Sequence, residues 1–276
     1  MKSLYAAFLL ISVGFYAQTH RFIYDYQHKF SAEDTLTKRA YFHLDVNPDK
    51  TYFYERRYFI ADSLQKANQP FGFEGKMTDF LSRDRKGGKV STITFKVFDS
   101  FLLKDQPSQN WKIHQETKRL GNLKLQKATT TWSGRNWEAW FAAEIPFQEG
   151  PHKFSGLPGL IAELSDDGNN FSFKLIRSQL IKESSVVDLC YNNQFIKPVE
   201  ISYPQYEKML LQHYKSPLQT LITREIDYKK SPLITEDGTE IDNEQKFRAY
   251  ETAERNRIRK YNNPLELSLK ISYPDK

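Results

Sequence analysis

Six histidines, His20, His28, His43, His114, His152 and His213, are the residues best suited to metal or acid–base chemistry, and no two lie two to five positions apart. A compact zinc site needs such spacing, and no H-E-x-x-H or C-x-x-C pattern supplies it, so the sequence predicts neither metal nor cofactor. SDDGNN, Ser165 to Asn170, lacks the spaced ligands and closing glutamate of a calcium loop and reads as a hairpin turn. Nucleophiles are equally sparse. There is no G-x-S-x-G elbow, and Ser63 to Lys66 matches S-x-x-K with no K-T-G partner. Cys190, the single cysteine, has no nucleophile signature around it and reads as a buried, inert thiol. Two catalytic acids can come from distant positions. Glu144, two residues before Pro146, is therefore the carboxylate to test first, against the plainer reading of an exposed acid at a strand end.

Trp132, Trp137 and Trp140 gather around the SGRN turn at Ser133 to Asn136, with Arg135 among them. Trp137 and Trp140 are three apart, so on one strand they face opposite ways. One is expected in the core; the other is expected to line a groove or to stack on Arg135. The second unusual stretch is GPHKFSGLPGLIAEL, from Gly150 to Leu164. Leu157, Pro158, Gly159 and Leu160 fit a type II turn, in which proline presets the second position and glycine accepts positive φ at the third. Gly156 is expected to permit close backbone approach, and Leu160 and Ile161 to lead apolar side chains into the sheet.

Elements that could position these residues are legible in the periodicity. Aromatic side chains make up 14% of the chain, and many alternate as on a half-buried strand. Phe22, Tyr24 and Tyr26 do so, and Tyr52, Tyr54, Tyr58 and Ile60 suggest one long strand through Arg56. KGGK at Lys86 to Lys89 and SGRN mark hairpin turns. After Pro198 the pattern changes. Tyr206, Met209, Leu210 and His213 have helical spacing ended by Pro217, and a second helix is expected from Glu244 to Lys260, capped by Asp242 or Asn243. The final LELSLKISY alternates again and suggests a strand. The fold class expected is mainly β with an α component, an antiparallel curved meander with C-terminal helices packed on it.

MKSLYAAFLLISVGFYA places Lys2 before an uncharged apolar run that ends at Ala17, the form of a secretory signal peptide and too short to span a bilayer. Residues 1–17 are thus expected to be removed. Residues 18–276 then form a single domain, β-rich to about residue 198 and helix-containing over 199–276. A net charge of +6 is spread among intermixed acids and bases, which gives no reason to expect nucleic acid.

The run GRNWEAWFAAEIPFQEGPHKFSGLPGLIAEL resembles the signature of the GLPGLI family, exported proteins of the Bacteroidetes, with the naming hexamer intact at Gly156 to Ile161. ETKRLGNLKLQKATT and NNPLEL extend the resemblance along the mature chain. Leu125 stands where the family often has cysteine, and His152 where it often has tyrosine. The resemblance implies an exported protein, periplasmic or at the cell surface, without a characterised activity. It makes Arg135, Trp137, Trp140, Gly156, Leu157, Pro158, Gly159, Leu160 and Ile161 the candidate binding or structural residues. The resulting expectation is a non-enzymatic binding or assembly protein whose partner is an apolar ligand, held in an aromatic concavity, or an envelope protein. A secreted hydrolase using a carboxylate or Cys190 is the alternative.

Overall fold

The computed structural model describes residues 18–70, 78–96, 99–184, 186, 197–218, 232–235 and 238–274. The leader 1–17 and Cys190 lie outside them, so the readings made of those residues are carried no further structurally. Two antiparallel meanders make the main sheet. The first runs β1 (Thr19–His28), β2 (Lys38–Val46), β3 (Lys50–Glu55), β4 (Phe80–Asp84), β5 (Val90–Lys96) and β6 (Asp99–Asp105). The second runs β7 (Lys112–Leu120), β8 (Leu123–Trp132), β9 (Arg135–Ala142), β10 (Leu160–Asp166) and β11 (Phe171–Ile181). β1 pairs with β11 and joins them, so the spatial order is β6-β5-β4-β3-β2-β1-β11-β10-β9-β8-β7. β12 (Val199–Glu200) pairs parallel with β6, which makes the sheet mixed rather than purely antiparallel, and the sheet does not close. β13 (Leu233–Ile234) and β14 (Glu240–Ile241) form a separate small ribbon.

The hairpins follow from local chemistry. Ser133 and Gly134 both have positive φ, 50° and 80°, which is the two-residue turn that matches strand twist, and it sets Trp132 opposite Arg135. In SDDGNN the Asp166 carboxylate accepts from the backbone N–H of Asn170 and of Phe171, each at 2.7 Å, and so staples the β10–β11 turn.

Three helices occur among the described residues: α1 (Arg56–Lys66), α2 (Tyr203–Lys215) and α3 (Glu244–Lys260). α1 overturns the long-strand reading. Tyr58, Ala61 and Asp62 share one helical face and are buried, whereas Ile60 is exposed. The aromatic alternation was ambiguous over so short a run, and tertiary packing beneath Tyr52, Tyr54 and Phe80 selects the helix. α2 begins with a reciprocal cap between Ser202 and Gln205. The Asn243 side chain caps α3, accepting from Lys246 N–H at 2.9 Å. α2 meets the sheet through Tyr206, which lies against Phe101 and Thr94. The buried residue of α3, Phe247, packs instead with Leu218 and Ile241 in a satellite cluster.

LELSLKISY is not a strand. It forms a 3₁₀ turn at Leu267–Leu269 whose backbone bonds inward and to the hairpin turn, with Ser268 N–H on the Ser133 carbonyl at 3.2 Å. The principal core lies on one sheet face and includes Leu81 and Val90 of the first meander, Leu125 and Trp137 of the second, and Phe154 and Leu157 from the β9–β10 loop. The opposite face carries a smaller core beneath α1.

Candidate functional site

The loop between β9 and β10 contains the glycine- and proline-rich stretch, and its geometry departs from a type II turn. Gly159 N–H bonds the Leu157 carbonyl at 2.8 Å, a three-residue turn around Pro158. Gly159 has the expected positive φ, 153°, and also takes the close approach expected of Gly156, since a β-carbon on it would lie 2.2 Å from the Ala142 carbonyl oxygen; Gly156, at φ 91°, has open space around it. Leu157, Leu160 and Ile161 are buried and Pro158 is exposed. Ala162 is an extra residue in the β10–β9 ladder, and the Ile161 carbonyl accepts from the Tyr24 hydroxyl at 2.7 Å.

This loop fills the sheet's apolar face. Phe147 meets His20 and Phe22, His152 meets Phe53, and Phe154 packs edge-on against Trp132 and Trp137 at 4.8 and 4.7 Å. Trp137 is in the core as its spacing allowed; the aromatic side chains expected to line a ligand concavity pack against the protein's own loop. Trp140 is half-buried on the opposite face. Its ring is covered by Lys118 Nζ at 4.2 Å, and its indole N–H donates to Glu138 at 2.8 Å. Arg135 does not stack on Trp140 but lies over Phe171 at 4.8 Å.

Two cations of this region grip the C-terminal segment. Arg135 donates to Asp166 at 3.0 Å, Asn263 Oδ1 at 2.6 Å, and the carbonyls of Pro264 and Leu265 at 2.9 and 3.1 Å. Lys153, only 2% exposed, bonds Asp105 and Glu266 at 2.7 Å each and the Tyr203 hydroxyl at 3.0 Å. Burial alone would push the Lys153 ammonium down, but Glu266, Tyr203 and Asp105 together outweigh it and raise its pKa. Burial lifts Glu266 against the opposing pull of Lys153, with the neighbouring Asp105 adding to the rise, and burial pushes the Tyr203 phenol up to about 12. Asn263 also donates to the Lys29 carbonyl at 3.1 Å, so NNPLEL is held as a strap by β1's end, β9 and the motif loop.

Beside the strap lies a shallow groove of about 520 Å³ lined by Arg259, Asn262, Lys270, Ile271, Ser272 and Tyr273. An adjoining hollow of about 220 Å³ shares Arg259, Asn262 and Lys270 and adds Ser31, Glu33 and Lys260. Both carry cations, and the larger is also lined by Ile271 and Tyr273. The larger groove is built within residues 259–273 and was missed because its segment read as a strand; the hollow also needs Ser31 and Glu33, more than 200 residues away.

A second buried polar cluster was also missed. Arg21 and Asp45 face each other across β1 and β2 and pair through two bonds of 2.7 Å, with Asp45 fully buried. Tyr54 and Ser184 also donate to Asp45, at 2.7 and 2.5 Å. His43 lies beside Tyr54 and Phe59, and neither of its ring nitrogens has a hydrogen-bond partner among the described residues. Burial, with Arg21 next, lowers its pKa to about 4.

The other sequence candidates are scattered. Glu144 is exposed and accepts from Lys124 N–H at 3.1 Å, apart from any second acid in a shared site. His152 has positive φ, and burial followed by Lys153 and Arg83 keeps its imidazole neutral. Among the described residues no three His, Cys, Asp or Glu side chains converge as metal ligands, and no helix is long and apolar enough to cross a membrane.

A family model described as a protein of unknown function (Porph_ging) matches residues 132–163, the hairpin turn, β9, the motif loop and the start of β10. No curated protein matches the chain. Two solved structures of PNGF-II, in C2 and P21 space groups, resemble it at a TM-score of 0.51 each, with 19% and 18% identity over 70% of this chain. The chain spans only 32% and 33% of the length of those structures. The likeness shows a β-rich fold.

Proposed function

We propose that this chain is an exported cell-envelope protein of the GLPGLI type that binds or assembles with a partner and performs no reaction of its own. The observation that carries the reading is the direction in which the motif's polar groups point. Arg135 and Lys153 are buried and engaged with Asp166, Asp105, Glu266 and the strap, so this region builds and rigidifies a surface rather than presenting reactive groups to it. The intact hexamer at Gly156 to Ile161 supports the family assignment, and the leader MKSLYAAFLLISVGFYA supports export to the periplasm or the cell surface.

An apolar cargo has less support than a polar one. Phe154 and Leu157 occupy the apolar face of the sheet, and the grooves beside the strap, although the larger includes Ile271 and Tyr273, carry Arg259, Lys270 and Asn262. The hydrolase alternative draws little from Glu144, which is exposed and accepts from the Lys124 backbone N–H. Native mass spectrometry of the protein purified from its own envelope tests the proposal. A chain beginning at Gln18 that carries a bound molecule or a stoichiometric partner is the expected result. An intact, bare chain beginning at Met1 would overturn it.

A further inference from the structure

The end of α3, the strap and the turn after β1 bring three cations and two exposed aromatic rings to one place. Arg259, Lys260 and Lys270 line the adjoining hollows together with one carboxylate, Glu33. The carbonyl end of a helix offsets roughly half a unit of positive charge. Arg257, in the same last turn, is itself paired with Glu254 at 2.6 Å. Lys270 comes from the segment that follows the strap rather than from the helix, and Arg259 also donates to Asn256 at 2.7 Å, so Lys260 and Lys270 are the cations beyond what the helix end calls for. Lys260 and Lys270 form no salt bridge among the described residues, and Lys260 Nζ lies 5.4 Å over the Tyr261 ring.

Phe30, immediately before Ser31, is 46% exposed, and Tyr261, between Lys260 and Asn262, is 43% exposed. Their ring centres are 5.7 Å apart at 60°, and His28 supports Phe30 edge-on at 4.8 Å. Asn262 donates its amide to the Ile271 carbonyl at 2.6 Å, which fixes the side chain and leaves its Oδ1 as an acceptor. Exposed aromatic faces suit the C–H face of a pyranose, amide oxygens suit its hydroxyls, and cations suit carboxylate or sulfate substituents. A shallow, open groove fits a chain of sugars better than a compact small molecule.

We infer that this cationic groove, together with the exposed Phe30–Tyr261 ring pair next to it in the chain rather than in its lining, binds an acidic saccharide, with the rings as the stacking platform and Lys260, Lys270 and Arg259 as the anion contacts. The inference rests on the binding reading above and names the class of ligand. Strap residues Asn263 and Glu266, held by Arg135 and Lys153, are positioning residues that keep Lys270 opposite α3.

The test is calorimetric titration of the chain from Gln18 with a short oligogalacturonate, a neutral malto-oligosaccharide of equal length, a poly-glutamate peptide and inorganic phosphate. Uronate binding is expected, with the other three probes weaker by about tenfold or more. The double variant Lys260→Ala/Lys270→Ala and the separate double variant Phe30→Ala/Tyr261→Ala should each weaken uronate binding by about tenfold, with thermal midpoints unchanged. Absence of uronate binding, equal binding of the peptide, or indifference to either double variant overturns the inference. If the probe is bound and cleaved, the site stands and the non-catalytic reading falls. If envelope purification yields a partner while uronate fails to bind, the ligand class falls and the binding reading stands.

Discussion

The two buried charge clusters are built on opposite principles. Arg21 and Asp45 are directly opposed on neighbouring strands, so sheet register alone brings them together, with Tyr54 buried beside them and the half-buried Ser184 completing the set. Lys153 instead draws Asp105 from β6, Tyr203 from α2 and Glu266 from the strap, and these partners keep some exposure. The first cluster belongs to the sheet and should fail with it. The second fastens a late segment onto a finished sheet and should fail locally.

The largest effect is expected from Asp45→Ala, which strands the Arg21 guanidinium at 3% exposure and should cost about 3 to 5 kcal/mol, read as a lower urea midpoint for the whole molecule. Hydrogen exchange that accelerates only in the strap would break the contrast. Acid should act on the same cluster. His43 has a folded pKa of about 4 against an ordinary 6.5, so its neutral form is favoured by folding. That contribution is intact above pH 6.5 and is lost as pH falls toward 4, by up to about 3 kcal/mol. His43→Leu should flatten stability over this window, and an unchanged pH slope in that variant would exclude His43 as its source.

Lys153→Met should cost about 2 to 3 kcal/mol, less than Asp45→Ala because Asp105 and Glu266 can recruit water. Exchange protection should fall around Asn263 to Leu269 while β1 and β2 keep theirs; uniform loss would refute the local reading. The last pair, which ends on the smallest effect, separates the glycines. Gly159→Ala meets a backbone carbonyl as well as positive φ and should cost about 2 to 3 kcal/mol, against about 1 kcal/mol for Gly156→Ala, which has open space. Equal thermal midpoints for the two variants would show that the close approach at Ala142 is relieved at no cost.

The contrast also marks what the sequence could reveal. Short-range signals were legible: KGGK, SGRN and SDDGNN gave hairpins, and Asn243 and Pro217 bracketed helices, because capping and turn chemistry act within a few residues. Arg56 to Lys66 was misread because aromatic residues suit both a strand and a helix wedged under a sheet. LELSLKISY alternates, yet its backbone finds partners in the Ser133 turn and in itself rather than in another strand. Of the candidate residues, Arg135, Trp137 and most of the hexamer turn out to be buried, a direction that local spacing did not encode. Lys153 and Arg21 depend on pairings across long separations, which no local pattern encodes.

The junction of β1 with β11 has a kinetic consequence. Tyr24 bonds the Ile161 carbonyl across 137 residues, and Thr19 pairs with Ile181, so the seam between the two meanders is among the most non-local features of the chain. Contacts of such high order form slowly. Until β11 has been made, β1 presents an unpaired edge, and the first meander is a substrate for holding factors rather than a finished fold.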